Sequence, residues 1–317
     1  MSENKKRPFL RLPIAALSLA LLIAVTYLAA MLNDFEYTIG HFENGSVPFI
    51  LCAVFTALAV CLLIVTAAAA NRRTVYEDFP APSPLGLFGA SLGALLAFAL
   101  AALALVHAKS MLSAVMSPEM VGIPPEKLRF WSALLGLCLC ASLILPFFEK
   151  YRQHPLTGIL ACLGALSVNL EMFAVYFDFS IPLNSPVRNF TVLAEASVLL
   201  FLVSEARLAL AKKPAKLAPA YQLFASAAAA SLGLGVALGA AVYRLAALGM
   251  DPVPSPEPNL SLLRLAMYIG IGVLAADRLI ASSKLVRTMT PEEIAEAKRL
   301  EKEEKEKKKK NKTEEKS

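Results

Sequence analysis

The sequence predicts an all-α membrane protein, a polytopic transmembrane bundle of about eight helices with both termini in the cytoplasm. Apolar residues make up 57% of the 317 residues and charged residues only 18%, whereas soluble domains average about half and about a quarter. The charged residues are concentrated near the two ends and in short connectors, which leaves long uncharged runs between them. Lipid is therefore the expected solvent for most of the chain.

Eight apolar runs are long enough to cross a bilayer, because a hydrocarbon core about 30 Å thick requires about 20 residues of helix. Connectors rich in proline separate several of them. The predicted helices cover residues 12–32, 47–70, 85–106, 130–148, 156–177, 190–211, 221–248 and 260–280. Residues 1–284 thus form the predicted bundle. The first run is longer than the apolar part of a secretory signal and lacks a good cleavage site, so we interpret it as a retained helix.

Positive charge alternates between successive connectors. One set of connectors carries fifteen of the 31 lysines and arginines: Lys5, Lys6, Arg7, Arg11, Arg72, Arg73, Lys150, Arg152, Arg207, Lys212, Lys213, Lys216, Arg278, Lys284 and Arg287. Cytoplasmic loops retain Lys and Arg during insertion. The alternation therefore predicts an even number of crossings, with the N-terminus and the C-terminus both in the cytoplasm.

Residues 285–317 form a strongly charged tail. Thr290 and Glu293 match a capping box, and Pro291 suits the first turn of a helix. The run Lys307–Lys310 suits contact with anionic headgroups. The tail is also the natural place for a protein partner, while the simpler interpretation is a disordered, solubilising segment.

Four ionisable residues lie inside the predicted membrane helices. They are Glu171, Glu195, Arg244 and Arg264. Counting about 1.5 Å per residue places all four roughly 8 to 9 Å below the outer interface. A charge at that depth is costly and usually faces a protein interior or a water-filled cavity. Two interpretations stay open: a structural ion-pair layer that fixes helix packing, and a polar vestibule that binds a solute, an ion or a lipid headgroup.

Two neighbours are predicted to support these charges. Thr191 lies one helical turn from Glu195, and Tyr268 lies one turn from Arg264. Residues at this spacing share a helix face, so their hydroxyl groups could hydrogen-bond the charged side chains. We expect Glu195 and Arg264 to support each other.

Small residues recur at four-residue spacing in two of the predicted helices. The third predicted helix contains Gly89, Gly93, Ala97 and Ala101, and the seventh contains Gly235 and Gly239. Such stripes allow helix backbones to approach closely within a membrane. We interpret them as packing surfaces.

The sequence does not favour an enzyme, a metal centre or a cofactor. Its five cysteines lie in apolar runs and its three histidines are scattered, and no nucleophile motif or phosphate-binding loop is recognisable. The net charge of +6 follows from membrane topology, so no nucleic acid is expected as a partner. The expected partners are the lipid bilayer, a small solute or lipid headgroup, and a protein at the tail.

The stretch Leu183-Asn184-Ser185-Pro186, continued by Phe201-Leu202-Val203-Ser204-Glu205-Ala206-Arg207, resembles a pattern in uncharacterised multi-pass membrane proteins of Gram-positive bacteria. The resemblance implies a location in a bacterial cell membrane and transfers no activity or functional residue. Two classes of function therefore remain. One is a small-solute transporter or ligand-binding membrane protein built on predicted helices five to eight, and the other is a membrane scaffold or sensor that acts through its tail.

Overall fold

The computed structural model describes residues 8–36, 41–70, 74–81, 83–115, 122–178, 185–211, 219–247 and 262–290, together with residues 292, 293, 295 and 299. Over these residues the chain is an all-helical bundle with two short β-ribbons. The helices are α1 (Leu12–Asn33), α2 (Val47–Ala70), α3 (Pro84–Val106), α4 (Ala108–Ser113), α5 (Pro125–Ile144), α6 (Pro155–Tyr176), α7 (Pro186–Leu210), α8 (Pro219–Ala228), α9 (Leu234–Ala247) and α10 (Leu262–Leu285).

Seven segments of the described chain are long and apolar enough to span a membrane. They are α1, α2, α3, α5 with the turn that follows it, α6, the continuous helix from Pro219 to Ala246, and α10. The predicted membrane bundle is thereby confirmed. The sixth predicted crossing, over residues 190–211, corresponds to α7, which is 25 residues long, carries four charged residues and is not one of the seven.

Prolines mark the first residues of the helices. α3, α5, α6, α7 and α8 all begin at a proline. The sequence reasoning assigned several of these prolines to connectors, so its predicted starts at residues 130 and 190 were too late by five and four residues respectively. A proline lacks a backbone N–H and has a helical φ angle, and it therefore suits the first helical position where that N–H would have no partner.

The seventh predicted crossing is a composite helix. α8 runs into a π-helical segment, Ala229–Gly233, which continues into α9. The prediction of a single uninterrupted α-helix over residues 221–248 was therefore wrong in detail. Small side chains and a glycine in this segment let the backbone widen by one residue per turn, and such π segments are frequent at functional sites.

The composite helix and α10 form the centre of the bundle. In their most apolar windows, 89% and 72% of the residues are buried, against 22% for α2. α10 packs against α3, α8 and α9, while α1 packs against α2 and α9. The outer faces expose large apolar side chains such as Ile64 and Leu95, as expected for surfaces in contact with lipid.

Glycines set the distance between α3 and α10. A Cβ atom at Gly270 would lie 2.6 Å from the backbone nitrogen of Gly93, and a Cβ at Gly89 would lie 2.7 Å from the carbonyl oxygen of Gly270. A Cβ atom at Gly235 or Gly239 would lie 2.9 or 2.8 Å from a backbone oxygen of α1. Both predicted stripes of small residues are therefore confirmed as packing surfaces.

Two antiparallel β-ribbons pair segments of the chain that lie outside the helices. β1 (Phe35–Glu36) pairs with β2 (His41–Phe42) between α1 and α2, and β3 (Thr74–Tyr76) pairs with β4 (Val286–Thr288). α10 extends five residues beyond its predicted end at residue 280. The first residues of the tail are thus joined to the α2–α3 connection, while the run Lys307–Lys310 lies outside the described residues.

Candidate functional site

Charged and hydroxyl side chains from four helices meet near one end of the bundle. We call this set the buried charged cluster. Its members are Arg129 on α5, Glu171 on α6, Asp178 just after α6, Glu195 on α7, and Arg264 and Tyr268 on α10. The helices that carry it pack directly on one another, with α5 against α6, α6 against α7, and α7 against α10.

An ion pair between Glu171 and Arg264 lies at the centre of the cluster. Nη1 of Arg264 is 2.6 Å from Oε1 of Glu171, whose side chain is only 1% exposed. Nε of Arg129 is 3.7 Å from the same carboxylate oxygen. Glu171 therefore receives positive charge from two helices, which offsets part of the cost of burying its carboxylate.

Arg129 also connects the cluster to the end of the bundle. Its Nη2 donates a hydrogen bond to Oδ2 of Asp178 at 2.9 Å, and both side chains are 13% exposed. Arg188, in the first turn of α7, donates to the backbone oxygens of Tyr176 and Asp178. Charged groups thus run from the partly exposed Asp178 to the fully enclosed Glu171.

Glu195 lies next to this chain of ion pairs and is fully buried. Its Oε1 accepts a hydrogen bond from the Tyr268 hydroxyl at 3.1 Å. Its Oε2 has no hydrogen-bond partner among the residues that the structure describes. Glu195 is therefore held by one neutral donor, whereas Glu171 is held by two guanidinium groups.

The structure brings together three of the four charges singled out from the sequence. Glu171 and Arg264 form an ion pair, and Tyr268 links Glu195 to α10. Arg244, on α9, is half-buried and takes no part in the contacts just described. Thr191 is buried on α7, but the hydrogen bond to Glu195 comes from Tyr268.

The expected mutual support of Glu195 and Arg264 takes another form, because the carboxylate paired with Arg264 is that of Glu171. The common depth of these charges below the outer interface stays a prediction. Glu195 is nine residues into α7 and Arg264 two residues into α10, which corresponds to about 14 Å and about 3 Å of helix. Residues at these different distances from the helix starts meet in one cluster.

Sequence reasoning missed Arg129 and Asp178 because it assigned both to outer connectors. The signal was the Pro124-Pro125 pair, which places the first turn of a helix at Pro125 and makes Arg129 helical. Asp178 follows the last turn of α6 and had no comparable signal.

A small cavity lies beside the cluster. It has a volume of about 20 Å³ and is lined in part by Ser132, Ser167, Arg264 and Tyr268. The two serines bind each other's helix, since the hydroxyl of each donates to the backbone oxygen of the other, at 2.9 and 2.7 Å. Such a volume holds about one water molecule. A larger solute therefore requires the helices to separate.

A second set of polar side chains lies near the opposite ends of α7 and α10. Arg278 is 2% exposed and its Nε lies 3.1 Å from Oε2 of Glu205, while its Nη1 donates to the backbone oxygen of Pro80 at 3.0 Å. Gln222 donates to the other oxygen of Glu205 at 3.2 Å. Glu205 near the end of α7 thus pairs with Arg278 near the end of α10.

An ion pair between Arg287 and Glu293, which we call the clasp, lies at the start of the tail. Arg287 donates to both carboxylate oxygens of Glu293, at 2.5 and 2.7 Å. The backbone N–H of Thr290 donates to Glu293, and the backbone N–H of Glu293 donates back to Oγ1 of Thr290, which confirms the predicted capping box. The hydrogen bonds from Arg287, and then that from Thr290, lower the pKa of Glu293 to about 2.

Comparison of the chain with protein-family models, with curated proteins and with solved structures finds no significant match.

Proposed function

We propose that this protein is a carrier of the cell membrane that moves a small zwitterionic solute through the unit formed by α6, α7, the composite helix and α10. The observation that carries the proposal is the burial of Glu171, Glu195 and Arg264 between apolar helices. Charges inside a membrane protein are costly, and they are typical of pathways for solutes and ions.

The pairing of the charges indicates the class of solute. A zwitterion carries one carboxylate or phosphate and one ammonium group. It can replace the Glu171–Arg264 ion pair with two new pairs, in which its anionic group binds Arg264 and its ammonium group binds a glutamate. The same chemistry belongs to free amino acids and betaines and to zwitterionic lipid headgroups.

The composite helix supplies an element that can move. A Cβ atom at Gly233 would lie 3.0 Å from Oγ of Ser197 and 3.7 Å from the backbone oxygen of Ala194, so the π segment touches α7 beside Glu195. Interrupted helices at the binding site are characteristic of secondary transporters. Rearrangement of this segment would separate α7 from the centre of the bundle.

Orientation and location belong to the same proposal. If α7 also crosses the membrane, the number of crossings is eight, and the alternation of Lys and Arg in the connectors supports a cytoplasmic location for both termini. The buried charged cluster then lies toward the outer face. The resemblance to proteins of Gram-positive bacteria supports the cell membrane as the location.

Uptake into proteoliposomes that contain the full chain tests the proposal. The probes are glycine, alanine and glycine betaine as free zwitterions, and a short-chain phosphatidylethanolamine as the lipid source. We expect uptake of at least one free zwitterion, with a loss of at least tenfold in Arg264→Gln. Arg287→Gln, outside the cluster, is the matched control and should retain uptake. Transfer of the lipid alone would assign the site to headgroups. No binding or movement of any probe would contradict the proposal.

A scaffold or sensor that acts through the tail is the second candidate. It is favoured by the β3–β4 ribbon and by the Arg287–Glu293 clasp, which join the tail to the α2–α3 connection. Deletion of the residues after Thr288 separates the two functions. Uptake should survive the deletion if the protein is a carrier, whereas a role that depends on partners at the tail should fail.

A further inference from the structure

Glu195 differs from every other acid of the cluster in having no cation paired with it among the described residues. It is completely enclosed, and one of its two carboxylate oxygens has no hydrogen-bond partner within the described part of the chain. Among the residues that the structure describes, the one hydrogen bond that reaches it comes from the neutral Tyr268 hydroxyl. An ionised carboxylate in such a place is strongly disfavoured, because burial removes water and no cation among the described residues is paired with the carboxylate.

The charged groups that face Glu195 are committed elsewhere. On α6, Glu171 brings a second negative charge, and Arg264 on α10 lies 2.6 Å from Glu171. On α5, Arg129 binds Asp178 at 2.9 Å. From the composite helix, the π segment Ala229–Gly233 contributes the sequence AASLG, which contains no titratable side chain.

We propose that Glu195 binds a proton in the conformation described here, and that this proton is the coupling ion of the transport cycle. The second part rests on the proposed function. A proton on Oε2 removes the unpaired charge and turns this oxygen into a donor. The Tyr268 hydroxyl can still donate to Oε1, so the observed contact is kept.

A proton fits this position better than a metal cation. A hard cation requires about six oxygen ligands, whereas the contact described at Glu195 comes from the single hydroxyl of Tyr268. A proton requires only the carboxyl oxygen that carries it.

Release of the proton requires water. When the π segment moves away from α7, water can reach Glu195 and accept the proton. The O–H bond of the carboxyl group breaks, its electron pair stays on the carboxylate, and the proton leaves as hydronium. The carboxylate so formed can pair with the ammonium group of a zwitterion. Proton release and solute binding would thus occur at the same side chain.

Infrared difference spectroscopy of the reconstituted full chain tests proton binding without any solute. We expect a C=O stretch of a protonated carboxyl group at neutral pH, shifted in heavy water and absent from Glu195→Gln. Glu205→Gln is the matched control, because Glu205 is held by Arg278 and Gln222, and it should keep the band. In Tyr268→Phe the band should shift in frequency, because the donor to Oε1 is lost.

Two results would overturn the proton site. One is the absence of any band that depends on Glu195 between mildly acidic and mildly alkaline pH. The other is failure of Glu195→Gln to fold, because the amide is neutral and of equal size, and a site that holds a neutral carboxyl must tolerate it.

Coupling is measured separately with a pH-sensitive dye inside the vesicles. Solute uptake by the wild-type protein should move protons, and an imposed pH gradient should raise accumulation several-fold. Equal accumulation with and without the gradient would contradict the coupling role even if the infrared band is present. Absence of uptake together with a band that depends on Glu195 would refute the carrier and retain the proton site, so the two failures are distinguishable.

Discussion

Replacing Gly270 with alanine should destabilise the contact between α3 and α10. The added Cβ atom would lie 2.6 Å from the backbone nitrogen of Gly93 and 2.8 Å from the backbone oxygen of Gly89. Both are backbone atoms, which cannot rotate away as a side chain can. Restoring an ordinary contact requires the helices to separate by roughly 0.8 Å over this contact.

We expect a net loss of about 1–2 kcal/mol in the free energy of unfolding. Overpacking a tight contact costs about 1–3 kcal/mol, and the better helix propensity of alanine returns at most about 1 kcal/mol. The assay is denaturant unfolding in mixed micelles, followed by circular dichroism. Gly136→Ala is the matched control, because a Cβ there would come no closer than 3.4 Å to another atom. Equal stability of the two variants would refute the close α3–α10 packing.

Three further predictions concern the charged groups. Arg278→Met should lower the free energy of unfolding by about 3–5 kcal/mol, because it leaves Glu205 partly buried without its cation. The same unfolding assay should show recovery when Glu205→Gln is added. An unchanged unfolding midpoint in Arg278→Met would contradict this prediction. Glu195→Gln should unfold at the same or a higher denaturant concentration than the wild type, and a clear loss would contradict a neutral Glu195. The pKa of the Glu293 carboxyl is lowered to about 2. Its contribution to the clasp is therefore complete above pH 4.3, roughly the ordinary glutamate pKa, and is lost as the pH falls through about 2. A carbon-13 titration should show this midpoint, and Arg287→Gln should move it upward.

The fold was predictable because a hydrocarbon environment permits few backbone conformations. An apolar run of about 20 residues can satisfy its backbone in lipid only as a helix. Seven of the eight predicted crossings correspond to helical segments of the described chain that are long and apolar enough to span a membrane. α7 is the harder case, because it carries four charged residues, of which Arg188 and Glu195 are buried, and they make its sequence resemble that of an amphipathic soluble helix. Its presence as a helix was predicted, whereas its start at Pro186 was missed by four residues.

The cluster was only partly predictable, because a charge pattern gives depth along one helix but not the angle between helices. Glu171, Glu195 and Arg264 could be singled out by their cost in lipid. That Arg264 pairs with Glu171 depends on how α6, α7 and α10 cross, which no local pattern records. The π segment was also hidden, since Ala229–Gly233 reads as ordinary helix until it is packed against α7.

The β3–β4 ribbon shows the same limit at the other end of the bundle. Two three-residue strands separated by some two hundred positions have no signature in sequence. The capping box of Thr290 and Glu293 was predictable because it depends on residues three positions apart.

A double-mutant cycle on Glu171 and Arg264 tests most directly whether the buried charges act as one cluster. Unfolding free energies of Glu171→Gln, Arg264→Gln and the double variant give the coupling between the two side chains. We expect about 1–3 kcal/mol of coupling, because the groups lie 2.6 Å apart and are shielded from water. The same cycle with Glu205→Gln in place of Glu171→Gln should be additive within about 0.5 kcal/mol. Additivity for Glu171 and Arg264 as well would contradict the cluster.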